Sequence, residues 1–478
     1  MSEVLINTEQ VALPADNSAS LLYFLRENKG LTAAKPACTN GDCSACLVLL
    51  AEPAEDPGSI RFRAVNSCLL LPEQVASCAL ITPEGLAGAE SGLTPVQQAL
   101  VDEGAIQCGY CTPGLSVALT AALLNGDCLL DAVAGNLCRC TGYAGIRRAC
   151  AALEARFPCR PRSLDEAVAE GLLPEEIVHR LRQWEPMSAV QADSRQPNLS
   201  EYTAFVAGAT DWSVQHAHSD ASAKLPLLLR RVPALRDVRV TDEGFDIGAA
   251  VTLSELQQCV ELSRQWPELL HTLQQFASPG IRNSATLGGN LANASPIADM
   301  AVVLLALDAQ LELQGLQGTR KLPLSAFYTG YKRTALAEGE IIARIRIARA
   351  PERRLCREKV CRRPDDDIAS VNSALTLSAE SHPGCFGQLR ISAGGVGPVP
   401  LLLERTAAAL SGQPINESSV RRALVLLTHE ISPIDDLRGS AAYKAALLRH
   451  QLIAHLLQLY PLLSLPDLIG TGRVRHEA

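Results

Sequence analysis

Four cysteines stand in two short stretches, QCGYCTPG at residues 107–114 and GNLCRCTGY at residues 135–143. The first stretch holds a C-x-x-C pair and the second a C-x-C pair, and small and apolar residues lie between them at 115–124. Each short pair can direct two sulfurs at one point, so the four thiols predict a metal centre. A structural zinc ion and two disulfide bonds are the alternatives for this spacing.

Helix-start signals surround these thiols. Thr112 is predicted as an N-cap with Pro113 at the first helical position, and Thr141 and Gly142 precede a second predicted helix at residues 143–148. Two helix N-termini would then face the sulfurs. Their unpaired N–H groups and positive dipole ends stabilise an anionic thiolate centre, which favours bound metal over free thiols.

Composition limits the class of protein. The chain has 478 residues, of which 47% are hydrophobic and 20% charged, and this length predicts three or four domains. A net charge of -8 argues against binding to nucleic acid or to an anionic membrane. The N-terminal sequence has no export signal and no apolar run is long enough to span a bilayer, so we expect a cytoplasmic location. Sixteen cysteines there indicate metal ligation more than disulfides.

A second cysteine group lies nearer the N-terminus. Cys38, Cys43 and Cys46 have C-x4-C-x2-C spacing, and Cys68 follows a predicted strand at residues 47–50. This is the plant-type [2Fe-2S] spacing, whereas zinc, the alternative, rarely uses a four-residue gap inside a three-cysteine loop. Two short predicted strands at residues 4–7 and 11–14 and a predicted helix at 20–27 indicate a small α+β unit around it.

The two cysteine groups, in this order, resemble the N-terminal half of the xanthine dehydrogenase and molybdenum hydroxylase family. The resemblance implies a β-grasp [2Fe-2S] ferredoxin domain followed by a four-helix-bundle [2Fe-2S] domain. It implies Cys38, Cys43, Cys46 and Cys68 as ligands of one cluster and Cys108, Cys111, Cys138 and Cys140 as ligands of the other. Ala37 and Ser44 depart from the family, which usually has Gly at both positions.

Two segments of the second half are candidates for binding a phosphate group. A predicted strand at residues 202–207 ends in a small-residue turn, where backbone N–H groups can bind an anion. The second segment, residues 276–299, contains Gly288 and Gly289, which permit close backbone approach. A glycine-rich surface loop is the alternative for this segment. No G-x-G-x-x-G follows a strand, so a Rossmann site is not supported.

Both segments resemble the FAD-binding domain of the same family, which has the vanillyl-alcohol-oxidase-type fold. The flavin contacts that this resemblance implies are Phe205, Val206, Ala207, Gly208, Ala209, Thr210, Asp211, Trp212, Phe276, Thr286, Leu287, Gly288, Gly289, Asn290, Asp299, Ile342 and Lys359. Ala209 and Trp212 are departures, because the family commonly has Gly and a Leu-like residue there. The acidic run at residues 365–367 is either a solvated turn or, by resemblance, an element that positions a nicotinamide cofactor.

The whole chain is therefore predicted to be a multidomain α+β protein. The predicted domains are a plant-type [2Fe-2S] ferredoxin-like domain at residues 1–86, a helical [2Fe-2S] domain at 87–165, a linker at 166–198, an FAD-binding domain at 199–352 and an α+β C-terminal flavoprotein domain at 353–478. The first part of the linker, to residue 182, has helical spacing and could cover the helical bundle.

The resemblance covers the family's iron-sulfur and flavin parts but not its molybdenum half. It implies a molybdopterin-containing large subunit as partner, with an (αβ)2 heterotetramer as the assembly and NAD⁺ as electron acceptor. Electrons would enter at the Cys108 group, pass to the Cys38 group and reach FAD, and no catalytic side chain is implied. The alternatives are a relative that oxidises aldehydes, carbon monoxide or other N-heterocycles, and a zinc-stabilised scaffold without redox activity. Fusion of the modules in one chain favours the xanthine type.

Overall fold

The chain packs as two compact units. The computed structural model describes residues 2–14, 19–53, 60–76, 78–87, 92–184, 204–216, 227–363, 366–378 and 382–463. Unit 1 comprises Met1–Pro233, Thr252–Ser254 and Ala277–Thr286, and unit 2 comprises Ala234–Val251, Glu255–Phe276 and Leu287–Ala478. The helix Leu253–Gln257 begins in unit 1 and ends in unit 2.

Unit 1 contains a five-stranded β-grasp sheet. Its strands are β1 (Glu3–Ile6), β2 (Glu9–Ala12), β3 (Leu47–Pro53), β4 (Ile60–Asn66) and β5 (Ala79–Ile81). The strand order is β2-β1-β5-β3-β4, in which only β1 and β5 run parallel. A helical segment crosses one face, beginning after the N-cap Ser20 and continuing as a π-helix over Phe24–Asn28. The predicted ferredoxin-like fold is therefore confirmed.

The helical part of unit 1 is built around one apolar helix. The helix Thr112–Asn125 buries side chains on all sides, which is typical of a helix enclosed by other elements. Val117 and Ala121 belong to a core shared with the sheet, whereas Leu119 and Leu123 pack among the other helices. The other α-helices described in unit 1 are Pro83–Leu86, Pro95–Asp102, Leu129–Ala132, Ala144–Arg156, Leu164–Ala169, Glu175–Gln183, Trp212–Gln215 and Pro279–Arg282.

Part of the predicted linker at residues 166–198 is not a linker. The helices Leu164–Ala169 and Glu175–Gln183 place Ala167, Ile177 and Leu181 in the core that they share with the sheet. Apolar residues at helical spacing on an otherwise charged segment form one buried stripe, so this segment packs on the domain instead of connecting domains. Residues 185–198 of that prediction lie outside the described residues.

Two short parallel strands complete unit 1, β6 (Phe205–Val206) and β7 (Leu227–Leu228). Unit 2 begins with an antiparallel sheet of order β11-β10-β14-β9-β8. The strands of unit 2 are β8 (Val238–Val240), β9 (Gly244–Gly248), β10 (Gln310–Gly315), β11 (Gly318–Pro323), β12 (Tyr328–Gly330), β13 (Arg333–Thr334), β14 (Ile341–Ala348), β15 (Arg354–Val360), β16 (Val371–Leu377), β17 (Leu389–Gly394) and β18 (Leu401–Leu402).

A second sheet of unit 2, β15-β16-β17-β18, is covered by helices on both faces. On one face, Thr376 and Ser392 donate hydrogen bonds to carbonyls of the helix Asp299–Ala306. On the other face, Ser373 bonds the buried His455 of the last helix. The remaining helices of unit 2 are Val260–Gln265, Pro267–Gln274, Leu287–Ala292, Glu404–Leu410, Glu417–Glu430 and Ala441–Leu459. This arrangement confirms the predicted mixed α+β class.

None of the helices in the described ranges combines the length and the apolar character needed to cross a membrane.

Candidate iron-sulfur and flavin sites

The first cysteine group forms two thiol pairs in unit 1. Cys38, Cys43 and Cys46 lie in the loop before β3, and Cys68 lies in the turn after β4. The Cys43 thiol hydrogen-bonds Cys38 and lowers the pKa of Cys38 to about 5, while the same contact raises the pKa of Cys43. Cys68 in the same way lowers the pKa of Cys46, and its own pKa rises. The four predicted ligands are thus brought together as two pairs.

The second cysteine group also forms two pairs, but one of them is exposed. Cys108 contacts Cys140 at the surface, and Cys111 contacts Cys138 in a buried position. A backbone hydrogen bond at Tyr110, followed by the Cys140 thiol, lowers the pKa of Cys108. Burial, followed by the hydrogen bond with Cys138, raises the pKa of Cys111 to about 12.

The helix start beside these thiols differs from its prediction by one residue. Cys111 is the N-cap of the helix Thr112–Asn125, so the predicted ligand, not Thr112, occupies the capping position. Pro113 is the second helical residue. A thiol cannot cap with a side-chain oxygen, and no side-chain cap bond is present. A cluster at this place would lie against the positive end of the helix dipole.

Three side chains of the second cysteine motif, Asn136, Thr141 and Tyr143, have no predicted role toward the thiols. The Thr141 hydroxyl lies 3.2 Å from Cys138 Sγ, and the Tyr143 hydroxyl accepts a hydrogen bond of 3.1 Å from the Cys138 N–H. Burial raises the pKa of Cys138, but hydrogen bonds from Thr141 and from nearby N–H groups outweigh it, so the pKa lies below its ordinary value. Asn136 is buried and donates to the Ser44 carbonyl.

Paired thiols fit a two-iron cluster. A [2Fe-2S] cluster takes two protein ligands on each iron, whereas a structural zinc ion gathers four donors around one point. The described ranges contain no set of three or more His, Cys, Asp or Glu side chains placed to hold one metal ion. Thr112 Oγ1, beside Cys111, is buried and lacks a hydrogen-bond partner, so it remains available as a donor to sulfur.

The first predicted flavin segment, residues 205–212, lies in unit 1. It runs from β6 through Ala207, Gly208, Ala209 and Thr210 to the helix Trp212–Gln215. A Cβ on Gly208 would overlap the Ser284 carbonyl oxygen, so glycine is required for this backbone contact. Ala209 has a φ of +61°, the left-handed conformation that favours glycine. Trp212 stacks on His216 with ring centroids 3.8 Å apart.

The second predicted flavin segment, residues 286–290, is mostly helical. Thr286 forms a β-bridge with Thr252 in unit 1, and the helix Leu287–Ala292 begins with the next residue, in unit 2. The glycine pair therefore lies in a helix instead of an extended loop. Asn290 Oδ1 is buried without a hydrogen-bond partner, which leaves a polar atom for a ligand to satisfy.

An ion pair joins two of the predicted flavin contacts in unit 2. Lys359 Nζ lies 2.8 Å from Asp299 Oδ2, with only 5% and 11% of the two side chains exposed. Lys359 also donates to the Gln275 carbonyl at 2.9 Å, beside Phe276, which is partly buried. Asn372, opposite Lys359 on β16, donates to Asp299 Oδ1 at 2.6 Å. Sequence reasoning missed Asn372, although an amide inside an apolar strand was a usable signal.

Two other predicted sites of unit 2 are Ile342 and the acidic run, and their described side chains make contacts within the fold itself. Ile342 is a buried residue of β14, paired with Leu313 of β10. In the acidic run at residues 365–367, Asp365 lies outside the described residues, and the Asp367 carboxylate accepts N–H bonds from Arg362, Arg363 and Ile368. Burial raises the pKa of Asp367, but these bonds outweigh it and the pKa lies below its ordinary value. The Asp367 carboxylate therefore stabilises the turn in which it lies.

Three family models match successive segments of the chain. Residues 82–151 match a [2Fe-2S] binding domain, residues 184–350 match the FAD binding domain in molybdopterin dehydrogenase, and residues 358–459 match the CO dehydrogenase flavoprotein C-terminal domain. Together with the relatives below, these domains indicate the iron-sulfur and FAD part of a molybdenum hydroxylase.

Curated relatives match nearly the whole chain. Xanthine dehydrogenase of Drosophila pseudoobscura pseudoobscura is 29% identical over 527 residues, which cover 97% of this chain and 39% of the relative. Xanthine dehydrogenase of Drosophila subobscura is 30% identical, covering 90% and 37%. Aldehyde oxidase 1 of Bos taurus is 26% identical, covering 95% and 39%. The chain thus spans about two-fifths of the length of these relatives.

Solved structures match about half of the chain. Reconstituted CO dehydrogenase from Oligotropha carboxidovorans has 26% identity and a TM-score of 0.50, covering 53% of this chain and 91% of the solved one. Quinoline 2-oxidoreductase from Pseudomonas putida 86 also has 26% identity and a TM-score of 0.50, covering 54% and 90%.

Proposed function

We propose that this chain is the electron-transfer subunit of a two-subunit xanthine dehydrogenase. Purine hydroxylation would take place at molybdenum on a molybdopterin-containing large subunit, and two such pairs would form an (αβ)2 heterotetramer. This chain would bind two [2Fe-2S] clusters and FAD and would reduce NAD⁺. The observation that carries the proposal is the presence of two complete four-thiol groups, each arranged as two pairs, in one chain with a flavin domain.

The residues of this chain would bind and orient the clusters and FAD, and none is assigned acid-base chemistry. Iron-sulfur clusters exchange single electrons and flavin exchanges one or two, which allows substrate oxidation to be joined to NAD⁺ reduction. The eight paired cysteines would hold the clusters. At the flavin, Asn372 and Lys359 fix the Asp299 carboxylate from two sides, so a buried charged group keeps one orientation toward a ligand. The unpaired Asn290 Oδ1 would accept a hydrogen bond from FAD.

The extent of similarity supports the xanthine type over two of the alternatives. About half of this chain matches nearly the whole of the solved CO dehydrogenase and quinoline 2-oxidoreductase chains. The Drosophila xanthine dehydrogenases instead match this chain almost end to end. Aldehyde oxidase 1 matches over the same extent at lower identity, so an aldehyde-oxidising enzyme is the second candidate.

The test begins with the isolated chain. Its absorption spectrum should show flavin and iron-sulfur bands that bleach on reduction, and a colourless protein would overturn the redox assignment in favour of a zinc-stabilised scaffold. The next step is to purify the chain with its tagged partner and to compare xanthine, an aldehyde and quinoline as substrates, with NAD⁺ or O₂ as acceptor.

We expect xanthine-dependent NAD⁺ reduction. Turnover of aldehyde alone would favour the second candidate, and turnover with O₂ alone would contradict the acceptor assignment. The mass of the complex tests the proposed heterotetramer, and cell fractionation tests a cytoplasmic location.

A further inference from the structure

The two cysteine loops touch each other within unit 1. The N–H of Leu137, the neighbour of Cys138, donates a hydrogen bond of 3.1 Å to the Cys43 carbonyl. Nδ2 of Asn136 lies 3.4 Å from the next carbonyl, that of Ser44. A third bond joins the Tyr110 hydroxyl to the Pro36 carbonyl at 2.6 Å. Cys43 of the first site and Cys138 of the second site therefore lie in backbone segments that hydrogen-bond each other directly.

Two glycines make this approach possible. A Cβ on Gly114 would overlap the Ser44 carbonyl oxygen. A Cβ on Gly135 would overlap Ser278 and would lie 3.2 Å from the Ser44 hydroxyl oxygen. Because neither glycine carries a side chain, Ser44 can pack against both stretches of the second cysteine group.

Asn136 is a buried residue in the contact between the two cysteine loops. Only 3% of its surface is exposed, and its Oδ1 has no hydrogen-bond partner. A buried acceptor without a partner lowers stability, so an apolar residue of the same size would suit the core better. The amide is explained instead by its donor group, which reaches the Ser44 carbonyl, one residue after the Cys43 carbonyl that accepts the bond from Leu137.

We propose that Asn136 is a positioning residue for electron exchange between the two thiolate sites. It holds the hydrogen bond from Leu137 to Cys43, which together with the Leu137–Cys138 peptide connects a ligand of one site to a ligand of the other. This inference rests on the proposed function. The electron would pass between the [2Fe-2S] clusters that the two thiol groups would hold, one being oxidised as the other is reduced, and no proton would move along the link.

The test compares Asn136→Leu with a control, Asn125→Ala, in the full chain loaded with its clusters. Leucine keeps the branched shape of asparagine and removes the donor. Asn125 lies in the same domain at the end of its central helix, where its amide bonds the Phe62 N–H and carbonyl of β4 instead of a cysteine loop. Iron content and the EPR spectrum of each cluster are measured first.

Two readouts then distinguish positioning from folding. One is the splitting that two neighbouring reduced clusters cause in each other's EPR signals, and the other is the rate of electron exchange between the clusters after flash photoreduction. We expect Asn136→Leu to retain full iron and to show a weaker splitting and a several-fold slower exchange. Asn125→Ala should lower the midpoint of urea denaturation and leave both readouts at wild-type values.

Wild-type splitting and exchange in an iron-loaded Asn136→Leu protein would overturn the inference while leaving the proposed function intact. Equal losses in the two variants would also overturn it, because they would reflect general loosening. If Asn136→Leu loses iron, Asn136→Ala provides the same comparison with less steric demand. A wild-type chain without iron-sulfur signals would refute the proposed function itself.

Discussion

The two cysteine sites differ in how far the protein encloses them. Cys43, Cys46 and Cys68 of the first site are buried, and Cys46 and Cys68 belong to the same apolar core as strands β1 and β3. In the second site one thiol pair is buried, and the other, Cys108 with Cys140, is exposed. The first site is therefore part of the folded core of its domain, whereas one side of the second site is open to an approaching molecule.

The largest expected effect concerns this difference in burial. Cys46→Ser should lower the free energy of unfolding by about 4 kcal/mol, because it removes the first cluster and leaves a buried hydroxyl in an apolar core. Cys140→Ser should remove the second cluster at a smaller cost, because its own side chain is exposed and leaves no polar group in an apolar core. Urea denaturation followed by circular dichroism gives both values, and EPR identifies the missing cluster.

Cys159→Ser is the matched control, since this exposed thiol is outside both predicted groups. It should retain both clusters and the wild-type stability. Equal destabilisation by Cys46→Ser and Cys140→Ser would refute the difference between an enclosed and an open site.

A smaller effect concerns hydrogen bonds to sulfur. In the second site the Thr141 hydroxyl lies 3.2 Å from Cys138 Sγ. In the first site the Ser67 hydroxyl donates to the Cys46 carbonyl at 2.7 Å and is also a hydrogen-bond partner of the Cys46 thiol. A donor to sulfur stabilises the more negative reduced cluster. Thr141→Val, which loses about 1 kcal/mol of hydrogen bonding, should lower the potential of the second cluster by about 40 mV.

Redox titration followed by EPR measures both potentials in one sample. The first cluster should keep its potential in Thr141→Val, and Thr141→Ser, which retains the hydroxyl, should keep both. An equal shift of the two clusters in Thr141→Val would indicate a general change in the domain instead of a lost bond.

Much of this comparison could be predicted from sequence, because ligand spacing is a local property. The C-x4-C-x2-C loop and the two later pairs identify which cysteines gather, and the helix Thr112–Asn125 was expected within one residue. The β-grasp sheet and the helical domain follow from the same motifs through family resemblance. Spacing patterns within one segment do not depend on how the rest of the chain packs.

The remaining features depend on contacts between segments that are far apart in sequence. Nothing local shows that Leu137 bonds the Cys43 carbonyl or that Asn372 bonds Asp299. The helical spacing of residues 166–182 predicts a segment that could cover the helical bundle, but it does not show that Ala167, Ile177 and Leu181 enter the core shared with the sheet. Sequence also cannot show which of two thiol pairs is exposed.

The smallest effect concerns the backbone of the first cysteine loop. Ser44, where the family usually has Gly, has a φ of +54° and is 2% exposed. Ala37, the other departure from the family, has no positive φ, so of the two departures only Ser44 has a left-handed backbone. Left-handed backbone costs an L-residue about 1–2 kcal/mol, and glycine's greater freedom in the unfolded chain offsets about 0.5–1 kcal/mol of that. Ser44→Gly should therefore raise the free energy of unfolding by about 0.5–1 kcal/mol.

Ser44→Ala separates the backbone from the hydroxyl, since alanine keeps the strained φ and removes only the oxygen. It should show no gain in urea denaturation. Ala209, in the first flavin segment, has a φ of +61° and offers the same change away from the cysteines. Ala209→Gly should give a similar gain in stability without altering either EPR signal. Any EPR change that Ser44→Gly causes should be confined to the signal of the first cluster. A gain in Ser44→Ala equal to that in Ser44→Gly would show that the buried hydroxyl, and not the left-handed backbone, is the source of strain in this loop.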